Sequence, residues 1–220
     1  MIAKSIINKT IPPLKPQDTA AKALSWMSEF HLLHLPLVSN KKLINIISEY
    51  DLMETTDALK TIAEIGLPNH LCMIHEYDHI YEVVRQLKKN QLTIMPVVNE
   101  KNEYLGMITQ DGLIHFFASA GSVHENGGII ILEITHKDYS LAEIAQIVES
   151  NNARILNVFV HDEPQTHKLE VSLKINASDM EEIISTFERY EYTVKAYHEE
   201  ASYTDHLQDR LDSLMNYLNI

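Results

Sequence analysis

Leu43-Ile-Asn-Ile-Ile-Ser-Glu-Tyr-Asp51 decides the reading of this chain, because its pattern returns as Tyr104-Leu-Gly-Met-Ile-Thr-Gln-Asp-Gly112. In each stretch an apolar run of strand character gives way to a hydroxyl residue, Ser48 or Thr109, suited to open a helix. The repetition extends upstream. At an offset of 60, Leu14 meets Ile74, Asp18 meets Asp78, Leu24 meets Val84, Pro36 meets Pro96 and Val38 meets Val98. The offset becomes 61 where Ile46-Ile47-Ser48 meets Met107-Ile108-Thr109, and the added residue falls in the turn Asn99–Tyr104, where an insertion costs little. An internal repeat restricts the architecture before any element is assigned.

Each copy, residues 1–60 and 61–120, reads as helix, strand, turn, strand, helix. Asp18 and Asp78 are the expected N-caps, accepting from the free N–H groups that open a helix. Ala20, Ala23, Leu24 and Met27 follow at helical spacing, as do Ile80, Val83, Val84 and Leu87. Leu35–Val38 and Ile94–Val98 are first strands. Leu43–Ile47 and Tyr104–Ile108 are second strands, and a short lead-in strand is expected near Ile11 and Met73.

The second half has another rhythm. Ala118–Gly128 is small, polar and glycine-rich, so residues 121–128 read as a linker. Over 129–200 the order is βαββαβ: strands Ile129–Ile134, Ala153–His161, Leu169–Ile175 and Tyr192–Tyr197, with helices opened by capping boxes at Ser140–Glu143 and Ser178–Glu181. That order describes two helices on one antiparallel sheet. In 201–220, Leu207, Leu211, Leu214 and Leu218 make barely two heptads, an amphipathic helix that docks in cis or on a second subunit.

The 220-residue chain carries a formal charge of −13 with no basic stripe. Binding to nucleic acid draws its affinity from neutralised phosphates, so nucleic acid is not an expected partner. No apolar run approaches the ~20 residues of a membrane helix and the N-terminus lacks a leader pattern, so neither membrane nor export is expected. The single cysteine, Cys72, cannot form an internal disulfide and sits among apolar residues as a buried structural thiol. The expected location is the cytoplasm. The 12 histidines show no metal spacing; His161 and His167 could meet across a hairpin, but no metal is expected. Phosphate-loop, nucleophile-elbow and zincin motifs are missing, so the chain is not expected to be an enzyme.

Leu43–Asp51 and Tyr104–Gly112, together with His34-Leu-Pro-Leu-Val38 and Thr93-Ile-Met-Pro-Val-Val98, resemble the signature of CBS domains. Residues 129–198 resemble an ACT-type regulatory domain, and the combination is similar to the acetoin-utilisation regulatory proteins. The fold class this implies is α/β (α+β): a CBS-domain pair, then a ferredoxin-like βαββαβ ACT-like domain and a C-terminal helix. ACT domains that bind amino acids carry a Pro-Gly pair after the first strand. Asp138-Tyr139 stand there in this chain, which favours a packing role.

The resemblance implies a cleft for an adenosine ligand, with the Ser or Thr and the later Asp on the ribose hydroxyls. The chemistry suits the pattern: at i and i+3 of a first helical turn, a hydroxyl and a carboxylate share a face. Repeat one keeps Ser48 and Asp51. Repeat two keeps Thr109 but has Gly112 where the acid belongs, and Asp111 lies about 100° around the helix. Asn45 also stands where the family has Gly. Adenine would lie against Pro12, Pro13, His34, Leu35 and Pro36 in repeat one, and against Ile94 and Pro96 in repeat two. No cofactor is required; the candidate regulatory ligands are AMP, ADP, ATP or S-adenosylmethionine, and a homodimer is expected. Ser48 and Thr109 serve equally as plain N-caps. The alternative is therefore a ligand-free dimerisation scaffold.

Overall fold

The computed structural model describes residues 1–55, 57–120, 122–163 and 167–199, so the tail helix expected over 201–220 lies outside the described residues. The chain divides into two units between Phe117 and Ala118. No helix among the described residues is long and apolar enough to cross a membrane.

In the first unit the repeat is physical. Helix α1 (Ala20–Phe30), strands β1 (His34–Ser39) and β2 (Lys42–Ser48) and helix α2 (Glu49–Met53) form one copy. After α3 (Ile62–Ile65) and the short strand β3 (Ile74–His75), helix α4 (Ile80–Asn90), strands β4 (Ile94–Val98) and β5 (Tyr104–Thr109) and helix α5 (Gln110–Ala120) form the other. Both hairpins are antiparallel, and each has an irregularity at the matching place, Leu37/Val38 and Val97/Val98. Buried Leu35, Ile46, Ile47, Ile94, Met95, Met107 and Ile108 line the core between the copies, each burial contributing roughly 1.5–3 kcal/mol.

The expected N-caps shift by one residue. Thr19 caps α1, accepting from Lys22 N–H, and His79 caps α4, accepting from Tyr81 N–H. Asp18 and Asp78 instead turn back, accepting from Lys15 N–H at 2.8 Å and His75 N–H at 2.7 Å. An Asp carboxylate reaches the N–H of the turn before it as readily as that of the helix after it. The lead-in pairing of repeat one also lies later than expected, at Leu14 against Leu37, while that of repeat two stands where expected, at Ile74 against Val97. Pro12 and Pro13 have no N–H to donate to a ladder.

The lead segments cross over. Asn8 N–H donates to Met107 O at 2.7 Å, and Met107 N–H donates back to Asn8 O at 3.1 Å, so the chain before Leu14 lies along β5 of the other repeat. Ala3 N–H bonds Asp78 O before α4, and Ile62 N–H bonds Asp18 O before α1. Neither the 3₁₀ turn Ala3–Ile6 nor α3 was expected from the repeat pattern; they occupy equivalent places in this exchange. A Cβ on Gly106 (φ +147°) would stand 2.5 Å from Ile7 Cγ2 and 2.7 Å from Asn8 O, which explains glycine there.

The second unit contains β6 (Gly128–Thr135), α6 (Leu141–Ser150), β7 (Ile155–Glu163), β8 (Lys168–Ile175), α7 (Glu181–Arg189) and β9 (Thr193–Glu199). The sheet order is β7-β8-β6-β9, antiparallel throughout, which is the ferredoxin-like arrangement. Ile130, Leu132, Val171, Leu173, Ile144, Val148 and Phe187 fill its core. Gly127 and Gly128 of the expected linker are structural here: Gly128 opens β6, and a Cβ on Gly127 would stand 1.9 Å from Ile175 O.

Ser140 accepts from Glu143 N–H, but the reciprocal half of the expected box is not made, because the Glu143 carboxylate takes the Tyr192 hydroxyl at 2.7 Å. The second box is absent altogether. Met180 holds the N-cap position of α7 with its side chain fully buried, and Asp179 rather than Ser178 accepts from Glu181 N–H. Burying Met180 against Gly128 fixes where the helix begins. His161 pairs across the ladder with Glu170, not with His167.

Candidate functional site

β2 ends as α2 begins, and this junction carries the hydroxyl and the carboxylate. Ser48 is the N-cap, its extended backbone (φ −94°, ψ 151°) handing the strand to the helix. Its Oγ–H donates to Asp51 Oδ2 at 2.6 Å, while Asp51 N–H donates to Ser48 Oγ at 3.1 Å. The two side chains therefore lie on one face of one turn, both only partly buried.

Three further polar groups border this pair. His34 lies opposite Ser48 in the β1–β2 register. Its Nδ1 accepts from Thr93 N–H at 3.3 Å and stands 3.0 Å from Thr93 Oγ1, so a residue of repeat two closes on repeat one. An accepting Nδ1 places the imidazole proton on Nε2. Burial, and then His70, lower the His34 pKa below its ordinary value, while Asp51 acts in the opposite sense. His70 Nε2 stands 3.8 Å from Asp51 Oδ2.

Asn45 explains how His70 comes to be there. The amide is buried, its Nδ2 donating to Pro68 O at 2.8 Å and its Oδ1 accepting from His70 N–H at 2.7 Å and from Ile46 N–H at 2.9 Å. Where repeat two uses Gly106 to let the backbone of Asn8 approach, repeat one uses the Asn45 side chain to hold the corresponding crossing segment. In sequence, Asn45 is a departure from the family pattern, and nothing local marks His70 or Thr93 as site residues. The repeat offset carries the signal for His70, since it places the Pro68–His70 segment where the Asn8 region lies in the other copy.

The other expected site residues fall in two groups. Leu14 N–H donates to Pro36 O at 2.8 Å, so half-buried Pro12 and Pro13 stand just ahead of the point where the lead segment joins β1. Leu35 and Ile94 are fully buried and Pro36 and Pro96 are buried, so these side chains belong to the core and only strand backbone could face a ligand. In repeat two, Thr109 is buried and opposite Ile94, and its Oγ1 accepts from Gly112 N–H at 3.0 Å. Asp111 points outward toward His115, 3.5 Å away, and is not part of the site. The second half-site thus has a hydroxyl without a carboxylate. Cys72 is half-buried, its thiol pKa raised by burial, with Sγ 3.9 Å from Met95 Sδ.

The second unit has a hollow of about 440 Å³ beside the Thr135–Ser140 loop, lined by Glu133, Asp138, Glu143 and Glu191 among others. Its one lysine, Lys168, is paired with Glu133. A carboxylate ligand would meet mainly like charge there.

Among known proteins, a family model described as "CBS domain" matches residues 3–58 and 62–119. An uncharacterised protein of Methanocaldococcus jannaschii is 25% identical over 118 residues, 54% of this chain and 39% of that protein. The chain spans less than two-fifths of the length of the first curated relatives it matches. A CBS domain pair/ACT domain protein of Thermotoga maritima superposes with a TM-score of 0.49 at 16% identity, covering 55% of this chain and 98% of that one. An acetoin utilization protein (AcuB) of Vibrio cholerae gives 0.48 at 21% identity, covering 54% and 91%. With two adjacent copies matched over more than half its length, and the repeat visible in backbone pairing, the chain belongs to the CBS-domain family.

Proposed function

We propose that the first unit is a regulatory sensor that binds one adenosine-containing ligand (AMP, ADP, ATP or S-adenosylmethionine) at the α2 end of repeat one. The observation that carries this reading is the Ser48–Asp51 pair, aligned on one turn and left partly open. Ribose hydroxyls would replace the Ser48–Asp51 bond, each donating to the carboxylate. His34 and Thr93, from different repeats, meet beside this pair, so occupancy would bias the arrangement of the two copies. The ACT-like unit would relay that bias to a partner by packing rather than by binding an amino acid. On this reading the protein is a cytoplasmic homodimer, regulatory rather than catalytic, with no resident cofactor.

A ligand-free scaffold is the second reading, favoured by the fact that Ser48 and Asp51 already satisfy each other. Melting temperature followed with millimolar AMP, ADP, ATP and S-adenosylmethionine separates the two. A ligand at one hundred times its Kd adds about 2.7 kcal/mol of stability. Asp51→Ala is expected to abolish the shift. If no adenosine compound moves the melt, the scaffold reading replaces the sensor.

A further inference from the structure

At the opposite end of the first hairpin lies a cavity of about 470 Å³ whose lining includes none of Ser48, Asp51, His34, His70 and Thr93, and shares only Pro13 with the residues expected around adenine. Pro13, Lys15, Pro16 and Gln17 form one wall, Val38–Lys41 at the β1–β2 turn another, and Tyr104 at the start of β5 a third. Tyr104 N–H donates to Lys41 O at 2.7 Å, so the cavity straddles both repeats.

Two observations give it a chemistry. Among the described residues its only charged lining groups are Lys15 and Lys41, in a chain of net charge −13. Neither ammonium forms an ion pair among the described residues. Asp18 and Glu103, the carboxylates that feel them, are already bonded to Lys22 at 2.6 Å and Asn99 Nδ2 at 2.9 Å. The Tyr104 hydroxyl is buried and has no hydrogen-bond partner among the described residues. A buried orphan hydroxyl is costly and rare, and its natural complement is an acceptor supplied from outside the chain. Burial raises the Tyr104 pKa, so the phenol keeps its proton and remains a donor.

We propose that this cavity is a second ligand site, for a small organic oxyanion bound by the Lys15 and Lys41 ammonium groups and the Tyr104 hydroxyl. Phosphate esters and polycarboxylates share this chemistry. Pro13, Pro16 and Val38 offer a short apolar wall to the body of such a molecule. Because the site joins the turn of one repeat to β5 of the other, its occupant would reinforce the same inter-repeat contact that Tyr104 N–H makes with Lys41 O.

Calorimetric titration of the full chain tests this, with phosphoenolpyruvate in one arm and citrate in another. Saturable binding is expected in at least one arm, weakening as salt rises. Lys15→Gln/Lys41→Gln should lower the affinity about tenfold or more, and Tyr104→Phe severalfold. Asp51→Ala should leave it unchanged, which keeps this site's fate separate from that of the adenosine site. A wild type that binds neither anion at millimolar concentration overturns the proposal. So does a double lysine variant, melting like wild type, that binds as tightly as the wild type.

Discussion

The Asp51 carboxylate accepts a 2.6 Å hydrogen bond from the Ser48 hydroxyl while its own backbone N–H caps onto that oxygen at 3.1 Å. The pair is therefore both a helix cap and a binding surface, and substitutions can separate the roles. Ser48→Ala removes the cap and is expected to cost about 1 kcal/mol in urea denaturation. Asp51→Asn keeps the N–H that caps α2 and should cost less than Ser48→Ala, while removing the charge on which an adenosine-dependent melt shift would depend.

Gly106 has a different, purely structural burden. A methyl group there would overlap Ile7 and the backbone of Asn8 at a φ of +147°. Gly106→Ala should destabilise the first unit by about 2 kcal/mol or more. Gly66→Ala is the control. Its φ is +67° but nothing lies within 4 Å of its Cβ position, so only the backbone penalty of about 1 kcal/mol should appear. Equal losses in the two variants would remove the crossing of Asn8 over β5 as the reason for glycine.

Asn45 should behave as a clasp. Two hydrogen bonds from one buried amide hold Pro68 and His70 against β2, and a third, from Ile46 N–H, fixes the amide itself. Asn45→Gly, which restores the family's usual residue, is expected to cost about 1–3 kcal/mol rather than stabilise. Hydrogen exchange at the His70 amide should accelerate while that of Ile47 does not. Unchanged protection at His70 would show that the segment is held by other contacts.

How much of this was legible in the sequence follows from how local each determinant is. The strand–turn–strand–helix order of both repeats and the βαββαβ order of the second half were legible, because they rest on apolar periodicity and turn residues. Ser48 with Asp51, and the loss of the acid at Gly112, were legible because i and i+3 on a helix is a local geometry. The N-caps were misplaced at Asp18 and Asp78 because the same carboxylate can serve the turn on either side. The start of α7 was misplaced because burying Met180 overrode a good capping pattern. The place of His70 was legible only through the repeat offset, while Thr93 and the Asn45 clasp were missed because they depend on groups of one repeat meeting the other, which composition and spacing do not encode.

The His34 environment predicts a direction for pH dependence. Burial and His70 favour the neutral imidazole in the folded chain, against the weaker opposing influence of Asp51. The unfolded chain therefore takes up the proton first as pH falls. Stability from this group is complete above the ordinary imidazole value of 6.5 and declines as pH drops below it. Protonation at Nδ1 would also break the bond from Thr93 N–H. Melting temperature between neutral and mildly acidic pH should fall more steeply for the wild type than for His34→Gln. A parallel pair of curves would place the pH sensitivity elsewhere.

Gly112→Asp asks whether repeat two is a degenerate copy of the same site. The new Cβ would stand 3.2 Å from Thr109 Oγ1, a tight approach that the hydroxyl can relieve by a small rotation. The added carboxylate would then meet the Thr109 hydroxyl as Asp51 meets Ser48, and it sits in a first helical turn, where an acid is favoured by the dipole and replaces a poor helix former. Melting temperature should rise slightly without ligand. If the proposed adenosine site is real, calorimetric stoichiometry should increase from one ligand per chain toward two, and Asp51→Ala/Gly112→Asp should retain the new one. Thr109 and Ile94 are more deeply buried than Ser48 and His34, so stability could rise while stoichiometry stays fixed. That result would mean that packing at Ile94, and not the missing carboxylate, closes the second half-site.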